Sequence, residues 1–438
     1  DGAAVAATIT VLLTMLVSLT LLPALLGFLG PKVLSRRQRR RMSEAGPRAE
    51  AVTSGFWYRW SRSVERQSAP RAVAGLLVVV VVALPVLSLR LGIDDAGTDA
   101  ASSTTHQAYD MLAEGFGPGF NGPFELVSRL DGGAGEAAFS RVVEAVSHQR
   151  GVVAATAPQV SPAGTAAVAL VYPSTAPQAS QTAQLLDRLR REVVPKAEAT
   201  SGLDVLIGGV TATEVDFSAA LTHKLPLFIA VVVVLAFLLL MVVFRSLVVP
   251  VMASVMNLLS VGAALGVTNA VFSWGWGSSF LGGWGTAPVE VFLPVLVFSV
   301  LFGLSMDYEV FLVSRMHEEW LRTGDNRVAV TTGQAVTGRV ITAAASIMVL
   351  VFLSFVLDDD IIIQQFGIGL AAAVVVDAFV VRTVVVPALM HLCGPANWWL
   401  PGWLDNRLPT LHIESRPGTA VSSRDRTLSA VGHRDPGR

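Results

Sequence analysis

Long apolar runs separated by short polar breaks make up most of this chain. The runs are Ala3–Leu29, Ala72–Leu89, Leu225–Phe244, Leu247–Phe272, Pro288–Val313, Val340–Leu357 and Ile361–Cys393. Each is close to or above the roughly 17–25 apolar residues that a helix needs to cross a bilayer. The pattern predicts seven spanning helices. Residues 90–224 read differently. Helical periodicity over 106–116, 136–148, 178–194 and 212–221 alternates with short runs at 124–130, 152–157, 166–171 and 204–207 that suit strands. Helices and short strands alternating on this scale predict an α+β insert of the split βαβ kind.

The fold class expected is a polytopic α-helical membrane protein with an inserted α+β domain. Its parts are a span in 1–30, a basic loop in 31–71, a span in 72–89, the insert in 90–224, a five-span bundle in 225–393 and a tail in 394–438. The tail is polar, rich in Pro, Ser and Arg, and expected to be disordered. Composition agrees: of 438 residues, 52% are hydrophobic and 15% charged, and the mean hydropathy is +0.58. Net charge is −1, so no global basic field points to nucleic acid.

Charge orients the spans. Residues 31–71 carry eleven basic residues, from Lys32 to Arg71, against Glu44, Glu50 and Glu65. Such a loop stays in the cytoplasm and also suits contact with anionic headgroups. The insert, where acidic residues outnumber basic ones, is then extracytoplasmic, and the 314–338 loop and the tail are cytoplasmic. Trp274, Trp276 and Trp284 suit an aromatic belt at the outer interface, or a grip on a lipid or sugar headgroup. Cys393, the single cysteine, reads as a buried, inert thiol.

The spans hold few polar side chains, and these are the candidates for chemistry. Asp307 sits in Gly303–Arg315, GLSMDYEVFLVSR. A carboxylate near the middle of a span costs roughly 2.5–3.5 kcal/mol, so it is usually paired and functional. Ser299, Gly303 and Asp307 recur every four residues and share one helix face, where the small residues admit a neighbouring helix. Burial disfavours the charged carboxyl and a nearby cation favours it. A group held between the two can load and release a proton, and Tyr308 adds a hydroxyl beside it. Asp377 and Arg382 are five residues apart, about 140° around an α-helix, so they are not expected to pair tidily with each other. Arg382 is a candidate cation for Asp307. Glu309 lies on a different face from Asp307, and Ser346 and Asn257 offer hydrogen bonds from other spans. No metal-ligand cluster, nucleotide fold or Ser/His/Asp arrangement is evident. The glycines of Gly115–Leu126 lack the Lys–Ser/Thr of a phosphate loop. The residues before Asp307 and Asp377 do not match the Gly-x-Gly-Asp of intramembrane aspartyl proteases. No enzyme activity and no cofactor are expected.

GLSMDYEVFLVSR followed by His317, Glu318 and Glu319 resembles the signature of the MMPL family of exporters, within the RND superfamily. GFGPGFNGPFEL, Gly115–Leu126, resembles the helix-to-strand junction that opens the family's porter domain. The resemblance covers nearly all of 1–400. It implies that Asp307 and Tyr308 relay protons; Arg382, Asp377, Ser346, Glu309 and Gly303 are, from their own positions, candidates for ion pairing or support. It implies proton-motive-force-driven export of lipids or other hydrophobic molecules across the plasma membrane, in contact with membrane lipids. Drug or small-molecule efflux, and a non-transporting partner or scaffold, are the alternatives. Residues 21–31, LLPALLGFLGP, match 385–395, VVPALMHLCGP, in Pro-Ala-Leu and in Gly-Pro. The two ends thus look like the last helix of a duplicated unit. Family members have twelve spans and two porter domains, so the chain resembles a C-terminal half. The N-terminal half is then an expected partner, and a homo-oligomer is an alternative.

Overall fold

In the computed structural model, residues 2–30, 55–92, 94–99, 101–130, 133–277, 287–358 and 360–407 are described. Trp284 and the basic residues from Lys32 to Arg48 lie outside them. The chain divides into two units, 1–55 and 56–438. The first contains α1, Gly2–Leu29, an apolar helix with Pro23 inside it.

The second unit begins with α2 (Phe56–Arg66), which turns at Gln67 into the spanning helix α3 (Ser68–Ala83). A 3₁₀ turn carries α3 to Ser88, and β1 (Leu91–Gly92) follows. The insert then runs α4 (Thr104–Phe116), β2 (Phe124–Arg129), α5 (Gly133–Ser147), β3 (Val152–Ala155), β4 (Gln159–Val160) and β5 (Ala166–Pro173). Next come α6 (Ser180–Arg188), a π turn, α7 (Val194–Ser201) and β6 (Val205–Gly208). The sheet order is β3-β5-β2-β6, with antiparallel neighbours and β4 beside β5. β5 and β6 are therefore parallel with β2 between them, and β2 and β3 are parallel with β5 between them. Two split βαβ units interlock.

One face of this sheet is apolar because alternate residues turn to it. Phe124 and Leu126 of β2 and Ala167, Ala169 and Val171 of β5 are buried. They meet Phe139, Val142 and Val146 of α5 and Leu185, Leu186 and Leu189 from the α6 stretch. Ser128 also points inward and is satisfied, donating to the Asp204 carbonyl at 2.8 Å.

The chain re-enters the span bundle through α8 (Val210–Phe244), which is continuous from the sheet, so no break precedes Leu225. It turns at Arg245, a non-glycine residue at φ 48°, into α9 (Val248–Phe272). β7 (Val289–Glu290) pairs in parallel with β1 and leads to α10 (Leu293–Thr323). α11 (Asn326–Ser354) follows after a two-residue turn. The expected 314–338 loop is thus helical on both sides of Gly324 and Asp325. Gly324 takes the left-handed C-cap, and Asp325 Oδ1 accepts from the Arg327 amide at 2.8 Å. The last span is α12 (Ile361–Val375), a π-helix over Val376–Val385, and α13 (Val386–Cys393). In all, seven helices among the described residues are long and apolar enough to cross a membrane.

Two polar segments are more ordered than their composition implies. Within 31–71, α2 covers Phe56–Arg66, with Ser61 and Val64 buried, and α3 already begins at Ser68. The start of the tail folds under the bundle: Asn397 is buried, Trp398 stacks on Trp320 at 6.1 Å, and α14 (Gly402–Asp405) follows. Arg245 Nε donates to Asp405 Oδ1 at 2.8 Å, which fixes the strained α8–α9 turn. Residues 408–438 lie outside the described residues.

Candidate functional site

Two opposite stripes run along the apolar part of α10. Residues four apart on a helix lie on one face, and residues two apart lie about 200° apart. Ser299, Gly303 and Asp307 form one stripe, and all three are exposed in this chain. No heavy atom outside the helix lies within 4 Å of where a Gly303 Cβ would sit. Ser305 and Glu309 form the opposite stripe, and both are buried.

That buried stripe faces the last span. Arg382 is 1% exposed and forms an ion pair with Glu309. Its Nε donates to Asp377 Oδ2 at 3.4 Å, and its Nη2 donates to Asn257 Oδ1 at 2.9 Å and to the Ser305 carbonyl at 3.1 Å. Nη2 also donates to Ser305 Oγ. Ser305 Oγ has one proton to give, and two acceptors stand within reach: Asn257 Oδ1 at 2.5 Å and Asp377 Oδ1 at 3.1 Å. Ser260 Oγ reaches Asp377 Oδ1 at 3.4 Å. Three spans, α9, α10 and the last, thus meet on one fully buried charged cluster.

The Asp377–Arg382 contact corrects the α-helical expectation. Residues five apart diverge on an α-helix but stack on a π-helix, whose hydrogen bonds run i to i+5. The π-helix over Val376–Val385 contains both residues. Pro387 follows and has no N–H, so the Thr383 carbonyl lacks the donor an α-helix would bring it. Gln334 Nε2 at 2.7 Å and Trp60 Nε1 at 3.0 Å donate to it instead. The partners of Arg382 are therefore Glu309 and Asp377, on the side of α10 away from Asp307. Tyr308 is half-buried, and its hydroxyl donates to Met348 Sδ at 3.4 Å. Ser346 is exposed and bonds back to the Thr342 carbonyl at 2.7 Å, within its own helix. Ser260 and Ser305 were not singled out in the sequence. The signal was available: Ser305 and Glu309 are four apart, and Asn257 and Ser260 three apart.

At the sheet end of the bundle, carboxyls gather beside the β1–β7 pair. Asp94 donates its amide to Glu290 Oε2 at 3.3 Å. Burial, reinforced by Asp99, Asp360, Asp95 and Glu290, pushes the Asp94 carboxyl up to about 7. Burial also raises Asp95 and Glu290. A cavity of about 1250 Å³ opens between the start of α6, α8 and the β1 end of the bundle. Arg90, Gln178, Glu214, His223 and Trp274 are among its lining. Among the described residues, no group of three or more His, Cys, Asp or Glu is placed to hold a metal ion.

Fold and site together define a multi-pass helical membrane protein with an ionic cluster sunk in its span bundle. Comparison with known sequences makes the class specific. The chain belongs to the MMPL family, whose model matches residues 1–71 and 127–417. It is 35% identical over 408 residues to "Membrane protein YdfJ" of Bacillus subtilis, covering 93% of this chain and 54% of that protein. It is 35% identical over 420 residues to "Mycolic acid-containing lipids exporter MmpL11" of Mycolicibacterium smegmatis, covering 94% and 43%. With "Trehalose monomycolate exporter MmpL3" of Mycobacterium tuberculosis the identity is 30% over 457 residues, covering 94% and 47%. The chain spans about half the length of these relatives.

Proposed function

We propose that this chain works in proton-driven export of lipids or other hydrophobic molecules, with the sheet domain on the extracytoplasmic side. The observation that carries the reading is Asp307: a carboxyl on the outer face of a spanning helix, next to a glycine that leaves room for another helix. A carboxylate on that face of a span is costly in a bilayer, so it is usually paired and functional. Family resemblance supplies both: a proton-relay role for Asp307 and Tyr308, and a second, matching set of spans to cover the stripe. Two relatives named as lipid exporters support the substrate class. The cavity beside α8, polar at Arg90, Glu214 and His223 and aromatic at Trp274, suits an amphiphile with a polar head.

A second reading of the proton site rests on charge. The buried cluster holds two carboxyls, Glu309 and Asp377, and one guanidinium. Arg382 pairs with both carboxyls, and one guanidinium cannot balance two carboxylates, so the cluster is an alternative seat for the carried proton. Asp377, which also meets the Ser305 and Ser260 hydroxyls, is the candidate carrier there. Either way, each charge that crosses 100 mV supplies about 2.3 kcal/mol.

Reconstituted vesicles test the proposal. A fluorescent lipid should move only while a pH gradient is imposed, and a protonophore should stop it. Movement that persists unchanged with the protonophore would refute proton coupling.

A further inference from the structure

The outer face of α2, part of the basic 31–71 stretch, takes no part in the candidate site. α2 reads FWYRWSRSVER and leads directly, through a bend at Gln67 (φ −128°, ψ 44°), into the spanning helix α3. Its inner face is firmly seated. Ser61 and Val64 are buried. Trp57 packs against Gly338, where an added Cβ would lie 2.5 Å from Trp57 Cε3. Trp60 is tied by its indole N–H to the Thr383 carbonyl that Pro387 leaves without a donor. Arg71 lies over the Trp60 ring, 5.3 Å from its centroid. These anchors fix the helix about its own axis and so fix which residues face away from the bundle.

The residues facing away are basic. Arg59, Arg62 and Arg66 are exposed. At 100° per residue they fall within an arc of about 60°. Glu65, 3.1 Å from Arg62, is the acidic residue of the helix, and it also accepts from Thr331 Oγ1 at 3.3 Å. Phe56, 61% exposed, continues the same side and stacks on Trp60 at 6.2 Å. A rigidly docked helix with arginines outward and aromatics beside them, at the point where a span enters the membrane, is the arrangement of an interfacial amphipathic helix.

We propose that the Arg59–Arg62–Arg66 face of α2 is a docking surface for the anionic headgroups of membrane phospholipids. Charge complementarity chooses this occupant. A planar guanidinium binds phosphate oxygens in pairs, and basic residues on a juxtamembrane amphipathic helix concentrate acidic lipid. If the arginines served only to keep their loop on one side of the membrane, they would need no common face and would show no headgroup preference. The proposal is independent of what the protein exports, and its test does not depend on transport.

The test counts lipids that stay bound to the purified chain. Protein is equilibrated in mixed micelles with equal phosphatidylglycerol and phosphatidylcholine, and the bound lipids are resolved by native mass spectrometry. Each arginine near an anionic surface is worth about 1 kcal/mol, or about fivefold, at low salt. The parent should therefore retain phosphatidylglycerol in preference. The triple change Arg59→Gln, Arg62→Gln, Arg66→Gln should lower that preference by at least tenfold, and the triple change to Lys should keep most of it. Raising salt on the parent, which needs no variant to fold, should weaken the preference as the Debye length shortens. Equal retention of both lipids by the parent would overturn the proposal. So would a Gln variant that keeps the parent's preference, or a preference that salt leaves untouched.

Discussion

Removing the Arg382 charge is the perturbation with the most calculable consequence. Arg382→Met keeps much of the volume and takes away the one cation of the buried cluster. Glu309 and Asp377, each with a side chain 2% exposed, would then be buried without it. The hydrogen bonds to Asn257 Oδ1 and the Ser305 carbonyl would go as well. Breaking one side of a buried ion pair typically costs about 3–5 kcal/mol, because the surviving charge stays desolvated. Against a typical stability of about 5–15 kcal/mol, that is a large fraction. Adding Glu309→Gln removes one of the stranded carboxylates. The double variant should therefore be more stable than Arg382→Met alone, with a coupling of about 1–3 kcal/mol. Asp377→Asn added in the same way gives the matching cycle for the π-helix contact. Equilibrium unfolding in mixed detergent, followed by tryptophan fluorescence, reads both cycles. A cost below about 1 kcal/mol for Arg382→Met, or no recovery in either double variant, would refute the claim that one guanidinium holds the two carboxyls.

Asp94, lifted to about 7 by burial and by its acidic neighbours, holds its proton more tightly folded than unfolded. Its contribution to stability is thus favourable at low pH and is lost as pH rises from about 4 through about 7, so Asp94→Asn should stabilise the protein at pH 8 and much less at pH 4, by thermal melting. Gly303→Leu meets no neighbour within this chain and should leave its melting unchanged. In an assembly that covers the Asp307 stripe, the same change should weaken assembly, which size-exclusion chromatography would register. Gly266→Val should be costly, because a Cβ there runs into the backbone of Val82 and lies 3.1 Å from Ala83 Cα where α9 crosses α3. About 1–3 kcal/mol is expected from such overpacking, and a melting temperature equal to the parent's would contradict the close crossing.

The spans were legible because hydrophobic runs of bilayer length have few other readings, and the alternation within 90–224 placed most sheet-domain elements within a few residues. Polarity misled where a segment is amphipathic. Residues 314–338 read as a loop because their charges are frequent, yet those charges lie on the open sides of α10 and α11. The tail through Asp405 read as disordered from its composition, although Asn397, Trp398 and Asp405 each have specific partners. At the candidate site, periodicity put Ser299, Gly303 and Asp307 on one face. It missed the opposite stripe, because Ser305 and Glu309 were not considered together. The Asp377–Arg382 pair was illegible for a different reason: α-helical spacing was assumed across a π-helix. The one visible cue was Pro387, which removes the donor expected at the Thr383 carbonyl.

Proton movement through the Asp307 variant tests the central claim most directly. The assembled transporter would be reconstituted with a trapped pH-sensitive dye, an imposed pH gradient and a lipid substrate. The account predicts that the parent dissipates the gradient in step with lipid movement. Asp307→Asn, close in size but unable to exchange a proton, should do neither while folding normally. Full proton flux coupled to export in Asp307→Asn would contradict the account and leave Asp377 as the group to test next.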